Sequence, residues 1–336
     1  MTLKMKYIKL LFLCLFVQSC TAQNSKINGV SFVASGIPVN DKHVNPVVNV
    51  NANYAAVMPF GFIKDLKHPK IAFNTDRQWF GETRSGAKQY AEQLKNKGIK
   101  IMLKPQIWVW RGEFTGYIKM ETEADWKTLE DSYSKFILEY AELAQEIKAE
   151  IFCIGTELER FVDNRPEYWD RLITEIKKRY KGKLTYAANW DEFKRTPFWK
   201  RLDFIGVDAY FPVSISRTPT VEECLKGWNV HKETIKGLSL KHNKPILFTE
   251  FGYRSVDFSG KEPWRSDRSM TNVNLEAQTN TTKALFETFW KEEWFAGGFI
   301  WKWHHNHEAS GGENNSRFTP QNKPVEELIK THYALH

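Results

Sequence analysis

The chain has 336 residues, of which 42% are hydrophobic, 26% charged and 14% aromatic, with 13 tryptophans. That composition excludes a disordered chain, and four cysteines are too few for a disulfide-framed small domain. Of the +8 formal charge, three lysines (Lys4, Lys6 and Lys9) fall in the first ten residues, and the remaining surplus is dispersed, the pattern of a solvated surface and not of a nucleic-acid interface.

Those lysines precede an apolar run from Leu10 to Val17 that stops at Gln18-Ser19-Cys20. A charged start and an apolar run too short to span a bilayer read as a secretory signal over residues 1–19. Val17-Gln18-Ser19-Cys20 resembles a bacterial lipobox, with Cys20 as the lipidated residue; ordinary cleavage after Ala22 is the rival reading. The expectation is an exported lipoprotein, on the periplasmic side or the cell surface, that meets the membrane only through its anchor. Without the anchor it would be periplasmic or secreted. No later apolar run reaches the ~20 residues of a transmembrane helix.

Beyond residue 27 the chain alternates strand and helix signals. Short runs that are apolar on both faces occur at 29–33, 55–59, 99–105, 150–156, 184–188, 204–210, 245–249 and 296–301, as buried parallel strands require. Between them, Ala87, Tyr90, Ala91 and Leu94 form one helical stripe, closed by Lys97-Gly98. Leu129, Tyr133, Phe136, Ile137, Tyr140, Leu143, Ala144 and Ile147 form a second, and Leu172, Ile173, Ile176 and Tyr180 a third. Eight strands with crossovers predict an α/β fold, a single (β/α)8 TIM barrel over 27–336. An open doubly wound sheet is the alternative, but no glycine-rich phosphate loop follows any strand. Cys153 lies within an apolar run and is expected to be a buried small hydrophobe; a Cys153–Cys224 bridge is the other possibility.

In such a barrel the chemistry belongs at the carboxyl ends of the strands. The fourth run ends Gly155-Thr156-Glu157 and the seventh Phe248-Thr249-Glu250. These glutamates stand 93 residues apart, three βα units of about 31, which places them across the mouth from one another. Two facing carboxyls suit glycosidic cleavage, one protonated to help the leaving oxygen and the other ionised to attack or to activate water. Burial and mutual repulsion separate their proton affinities. Glu159 competes for the first role, but Glu157 lies closer to the strand end.

At these residues the chain resembles the retaining β-glycosidases of clan A, and most closely glycoside hydrolase family 113, the β-mannanases. The resemblance is carried by Trp79-Phe80-Gly81-Glu82-Thr83, Leu103-Lys104-Pro105-Gln106-Ile107-Trp108, Ile154-Gly155-Thr156-Glu157, Thr249-Glu250-Phe251-Gly252-Tyr253, Trp301-Lys302-Trp303 and Phe318-Thr319-Pro320-Gln321-Asn322-Lys323-Pro324. It implies that Glu157 is the acid/base and Glu250 the nucleophile of a retaining endo-β-1,4-mannanase acting by double displacement, with no cofactor or metal. Two positions depart from the pattern: Thr156 stands where many clan members have Asn, and Gln106 where His is common, so a proton-carrying role at Gln106 is not expected.

Lys104, Gln106, Asn189 and Tyr210 occupy further strand ends and are candidate substrate contacts, Tyr210 also as a partner of the nucleophile. Trp110 and Arg111 resemble a pair that lines family subsites, and Trp301 and Trp303 are candidate sugar-stacking surfaces. Trp79, Trp108 and Trp190 also fall by the mouth, whereas Trp169, Trp290 and Trp294 belong between helices and barrel. The run His304-His305-Asn306-His307-Glu308 lacks metal-ligand spacing on a helix and reads as a loop. The expected partner is β-mannan or a related oligosaccharide, bound by a monomer. The alternatives are another clan A β-glycosidase, acting on glucan or mixed manno-oligosaccharides, and a non-catalytic glycan-binding lipoprotein on the same scaffold.

Overall fold

The computed structural model describes residues 26–266 and 271–336. The signal and Cys20 lie outside the described residues. In chain order the first elements are β1 (Ile27–Phe32), α1 (Asp41–Asn49), β2 (Tyr54–Val57), β3 (Phe60–Ile63), α2 (Arg84–Lys95), β4 (Lys100–Leu103) and β5 (Gln106–Val109). Next come α3 (Glu123–Glu146), β6 (Ile151–Thr156), α4 (Glu159–Asn164), α5 (Pro166–Arg179), β7 (Lys183–Asn189) and β8 (Ile205–Asp208). The chain finishes with α6 (Val221–His242), β9 (Ile246–Phe251), α7 (Leu275–Phe289), β10 (Phe295–Trp303) and α8 (Pro324–Ala334). Eight strands close a parallel barrel in the order β1-β10-β9-β8-β7-β6-β4-β2, and each coincides with one of the eight apolar runs.

The helices begin where side chains satisfy the free amides of the first turn. Thr122 accepts from Asp125 N at 3.1 Å ahead of α3, and Thr220 with Glu223 forms a reciprocal cap ahead of α6. Two cores result. The larger lies between helices and barrel and contains Trp169, Trp228 and Trp290. The smaller fills the barrel with Ile27, Ala56, Met102, Ile151, Phe204, Leu247 and Phe299. Gly29 makes room for that filling, because a Cβ there would lie 2.3 Å from the Phe299 ring.

Two departures from the expected pattern shape the mouth. First, β7 and β8 are joined without an α-helix. A single 3-10 turn, Trp199–Arg201, stands in its place, with the Trp199 indole fully buried and donating to Phe193 O at 2.8 Å. Second, β2 and β4 are interrupted at Pro59 and Pro105, which have no amide to continue the ladder, and pairing then resumes as the parallel pair β3–β5. This small sheet extends one side of the barrel upward. Cys153 and Cys224 are both buried and free. No described helix is long and apolar enough to cross a membrane.

Candidate active site

β9 ends by placing Glu250 on the floor of a cleft of about 600 Å3 at the carboxyl ends of the strands. The Glu250 side chain gathers three donors from other strand ends. Lys104 Nζ, just after β4, lies 2.5 Å from Oε1 and Gln106 Nε2 lies 3.0 Å from the same oxygen. Tyr210, just after β8, donates to Oε2 at 2.7 Å. Burial, and then the Glu250 charge, hold the Tyr210 phenol well above its usual range, so it remains a donor.

Beneath the floor, Lys104 also reaches Asp208 Oδ1 at 3.3 Å, and Thr249 Oγ1 donates to that oxygen at 2.7 Å. Burial, then Glu250, push Asp208 up to about 7, against the pull of Lys104. Burial by itself would lower the Lys104 ammonium, yet Asp208 and Glu250 outweigh it and keep the amine above its ordinary value. Lys104 is 0% exposed and does not reach the cleft surface, so the expected sugar contact is corrected to a support under Glu250.

Glu157 follows β6 directly and lines the same cleft. Its backbone is left-handed (φ 50°), which turns the chain sharply after the strand. Burial first, then the negative charges of Asp208 and Glu250, raise the Glu157 carboxyl well above the ordinary range, while Lys104 pulls the other way. The environment therefore pairs a Glu157 whose protonated form is favoured with a Glu250 surrounded by donors. Glu159 is instead ion-paired to Arg195 on the first turn of α4 and does not line the cleft.

Of the remaining candidates, Gln106, Asn189, Tyr210 and Trp301 line the cleft with the two glutamates, together with Trp108 and Trp190. Trp303 does not: it is 0% exposed and belongs to the helix-side core. The cause is a bulge in β10, where Ile300 and Trp303 pair with Val30 and Phe32, so three residues span what two span on β1 and the facing reverses. Trp110 and Arg111 are also displaced. Both line a neighbouring cleft that they share with Lys64, Lys70 and Arg77, and the backbone at Arg111 is left-handed (φ 67°). Trp79 is exposed and lines neither cleft.

Two contributors were not singled out in the sequence. Asp208 had a visible signal, a charged residue inside the apolar strand end Val207-Asp208-Ala209. Trp264 had none; it lies in the long loop after β9 and stacks on Trp190, with ring centres 5.0 Å apart and planes at 18°. In the histidine run, His307 bonds Glu326 at 2.6 Å and His305 packs on His43. Among the described residues no three side chains converge as a metal site.

The model of Glycoside Hydrolase Family 113 matches residues 38–323. No curated protein sequence matches the chain. Among solved structures, a GH113 β-mannanase from Alicyclobacillus acidocaldarius, in complex with ManMIm, superposes with TM-score 0.79 at 23% identity, covering 93% of this chain and 98% of that one. A GH113 β-1,4-mannanase complex gives TM-score 0.81 at 21% identity, with 93% and 100% coverage. A β-glucuronidase from Faecalibacterium prausnitzii gives TM-score 0.61 at 14% identity over 92% of this chain and 49% of its own.

Proposed function

Since the chain belongs to glycoside hydrolase family 113, we propose that it is a retaining endo-β-1,4-mannanase in which Glu250 is the nucleophile and Glu157 the acid/base. The observation that carries the reading is the contrast between these two carboxyls. Glu250 accepts from Lys104, Gln106 and Tyr210, whereas burial and neighbouring charge keep a proton on Glu157.

In the first step a Glu250 oxygen attacks the anomeric carbon, the glycosidic C–O bond breaks, and the departing oxygen takes the Glu157 proton. The product is a glycosyl ester on Glu250. Esterification removes the Glu250 charge, one of the contributions that hold Glu157 high, so Glu157 becomes a better-ionised base for the second step. Water then attacks the same carbon and gives a proton to Glu157, and the ester bond breaks to restore the Glu250 carboxylate.

Indoles on both sides of the mouth support cleavage within a chain. Trp108 rises from β5 on the β4 side, and the Trp190–Trp264 stack stands across from it after β7 and β9. The same reading includes export and tethering through acylated Cys20, which intact-mass measurement of the membrane fraction tests. The decisive enzymatic experiment is a product profile on defined mannan, glucan and xylan oligosaccharides, with the anomer of the first product read by NMR. β-Configured, internally cut manno-oligosaccharides are expected; α-anomers, or preference for glucan or xylan, would overturn the assignment.

A further inference from the structure

The cleft has a second tier of buried polar groups behind Glu157 that the reaction steps above do not use. Glu192 lies in the turn after β7 and is 2% exposed. Its Oε1 accepts from the Tyr186 phenol at 2.8 Å, and its Oε2 accepts from Asn189 N at 3.1 Å. The Tyr186 oxygen in turn accepts from Leu158 N at 2.7 Å. Leu158 is the residue after Glu157, whose own amide donates to Ala187 O at 2.8 Å. Two consecutive amides at the acid/base turn are therefore tied to β7, one through main chain and one through a phenol that a buried carboxylate holds in place.

The Tyr186 ring has little freedom, being packed edge-on against Trp169 and Phe198 at 5.8 and 5.4 Å between centres. A left-handed backbone at a residue with a Cβ, such as Glu157, is disfavoured and persists only where neighbours impose it. The Leu158–Tyr186–Glu192 chain is such an imposition, and it acts within one residue of the carboxyl that must meet the glycosidic oxygen.

We propose that Tyr186 and Glu192 form a positioning unit for the acid/base: they fix the backbone at Leu158 and aim the Glu157 carboxyl into the cleft. This rests on the reading of Glu157 as acid/base. Glu192 faces the Tyr186 phenol, Glu159 with its partner Arg195, and Asp208; Glu157 faces Asp208, Glu250, Lys104 and Glu192.

The test compares Tyr186→Phe, Glu192→Gln and Glu157→Ala in the full chain, with thermal unfolding as the check on folding. Two substrates are used: a manno-oligosaccharide, whose leaving alcohol needs a proton, and a dinitrophenyl β-mannobioside, whose leaving group departs without one. Tyr186→Phe is expected to lower kcat/KM on the oligosaccharide about 10-fold, part of the ~10²–10⁴ that a positioned acid supplies, and to change the aryl substrate less than about 2-fold. Glu192→Gln leaves one of the two acceptor oxygens that hold the Tyr186 phenol and Asn189 N, and is expected to give the same substrate split, about 3-fold or more on the oligosaccharide. If Tyr186→Phe does not fold, the Glu192→Gln substrate comparison decides. Equal losses on both substrates, or no effect on either, would overturn the positioning role. Should Glu157→Ala show the substrate split while the other two variants do not, only the positioning unit falls. If Glu157→Ala loses both substrates alike, the acid/base reading falls and the inference goes with it.

Discussion

The Lys104 ammonium lies 2.5 Å from Glu250 and 3.3 Å from Asp208, with the lysine wholly sealed from solvent. A buried cation shared by two carboxyls is an all-or-none arrangement, since removing it strands two negative charges in a medium that cannot solvate them. Lys104→Met is expected to cost about 3–5 kcal/mol in denaturant unfolding. It should also lower kcat by about 100-fold or more, because the charges facing the cleft lose their fixed reference. A variant with normal stability and turnover would contradict the support role.

The Glu157 proton affinity is tied to the charge on Glu250. Glu250→Gln removes that charge, so the Glu157 titration followed by carbon NMR is expected to move to lower pH in the inactive variant. In the wild type, activity should fall as pH rises through the elevated Glu157 value, because the acid has then lost its proton. An unmoved Glu157 titration in Glu250→Gln would mean that the two carboxyls do not sense each other.

Glu192 makes the fold itself pH-sensitive. Burial pushes its carboxyl up to about 8, well above the value it has in an unfolded chain. The folded state therefore holds a proton that the unfolded state releases, and the associated stability is complete below the unfolded value and lost as pH rises to about 8. Denaturation midpoints are expected to fall across that window, at up to about 1.4 kcal/mol per pH unit for this group. Glu192→Gln should flatten the fall; a parallel decline in both proteins would assign it to other groups.

The Trp190–Trp264 stack offers a flat face to a sugar ring, and Trp264 is the more exposed partner. Trp264→Ala is expected to weaken manno-oligosaccharide binding by about 1 kcal/mol, roughly fivefold, measured by calorimetry on a Glu157→Gln background. Binding that does not change would place the sugar elsewhere in the cleft.

Inside the barrel, Gly29→Ala would drive a methyl group to 2.3 Å from Phe299. Overpacking of this kind costs about 1–3 kcal/mol, readable as a lowered Tm, and adding Phe299→Leu should recover part of it.

The legible parts of the sequence were those set by local chemistry. Runs apolar on both faces marked every barrel strand, and a glutamate directly after such a run marked each side of the cleft. Tyr210 was placed at the mouth by its strand end, and beside Glu250 by the family resemblance. What depended on register was not legible. The β10 bulge separates Trp301 from Trp303, although alternation puts them on one face, and Trp110, just past the end of β5, lines the neighbouring cleft instead. Trp264 reaches the site only because a long loop folds back, and no periodicity records that. Glu192 carries no signal of its own in the sequence, because its burial comes from the way the chain folds back between β7 and β8.

The two prolines that interrupt β2 and β4 have a consequence for how the cleft meets a ligand. By letting pairing resume beyond them, they place Gln106 and Trp108 on a hydrogen-bonded strand and not on a loose loop. The ordering of that wall is settled when the chain folds, so a sugar arriving there has little left to organise. Association should then resemble docking onto a rigid plate, with a single fast phase and a modest heat-capacity change, and whatever slow adjustment exists should arise on the opposite bank, where Trp264 is carried by a loop.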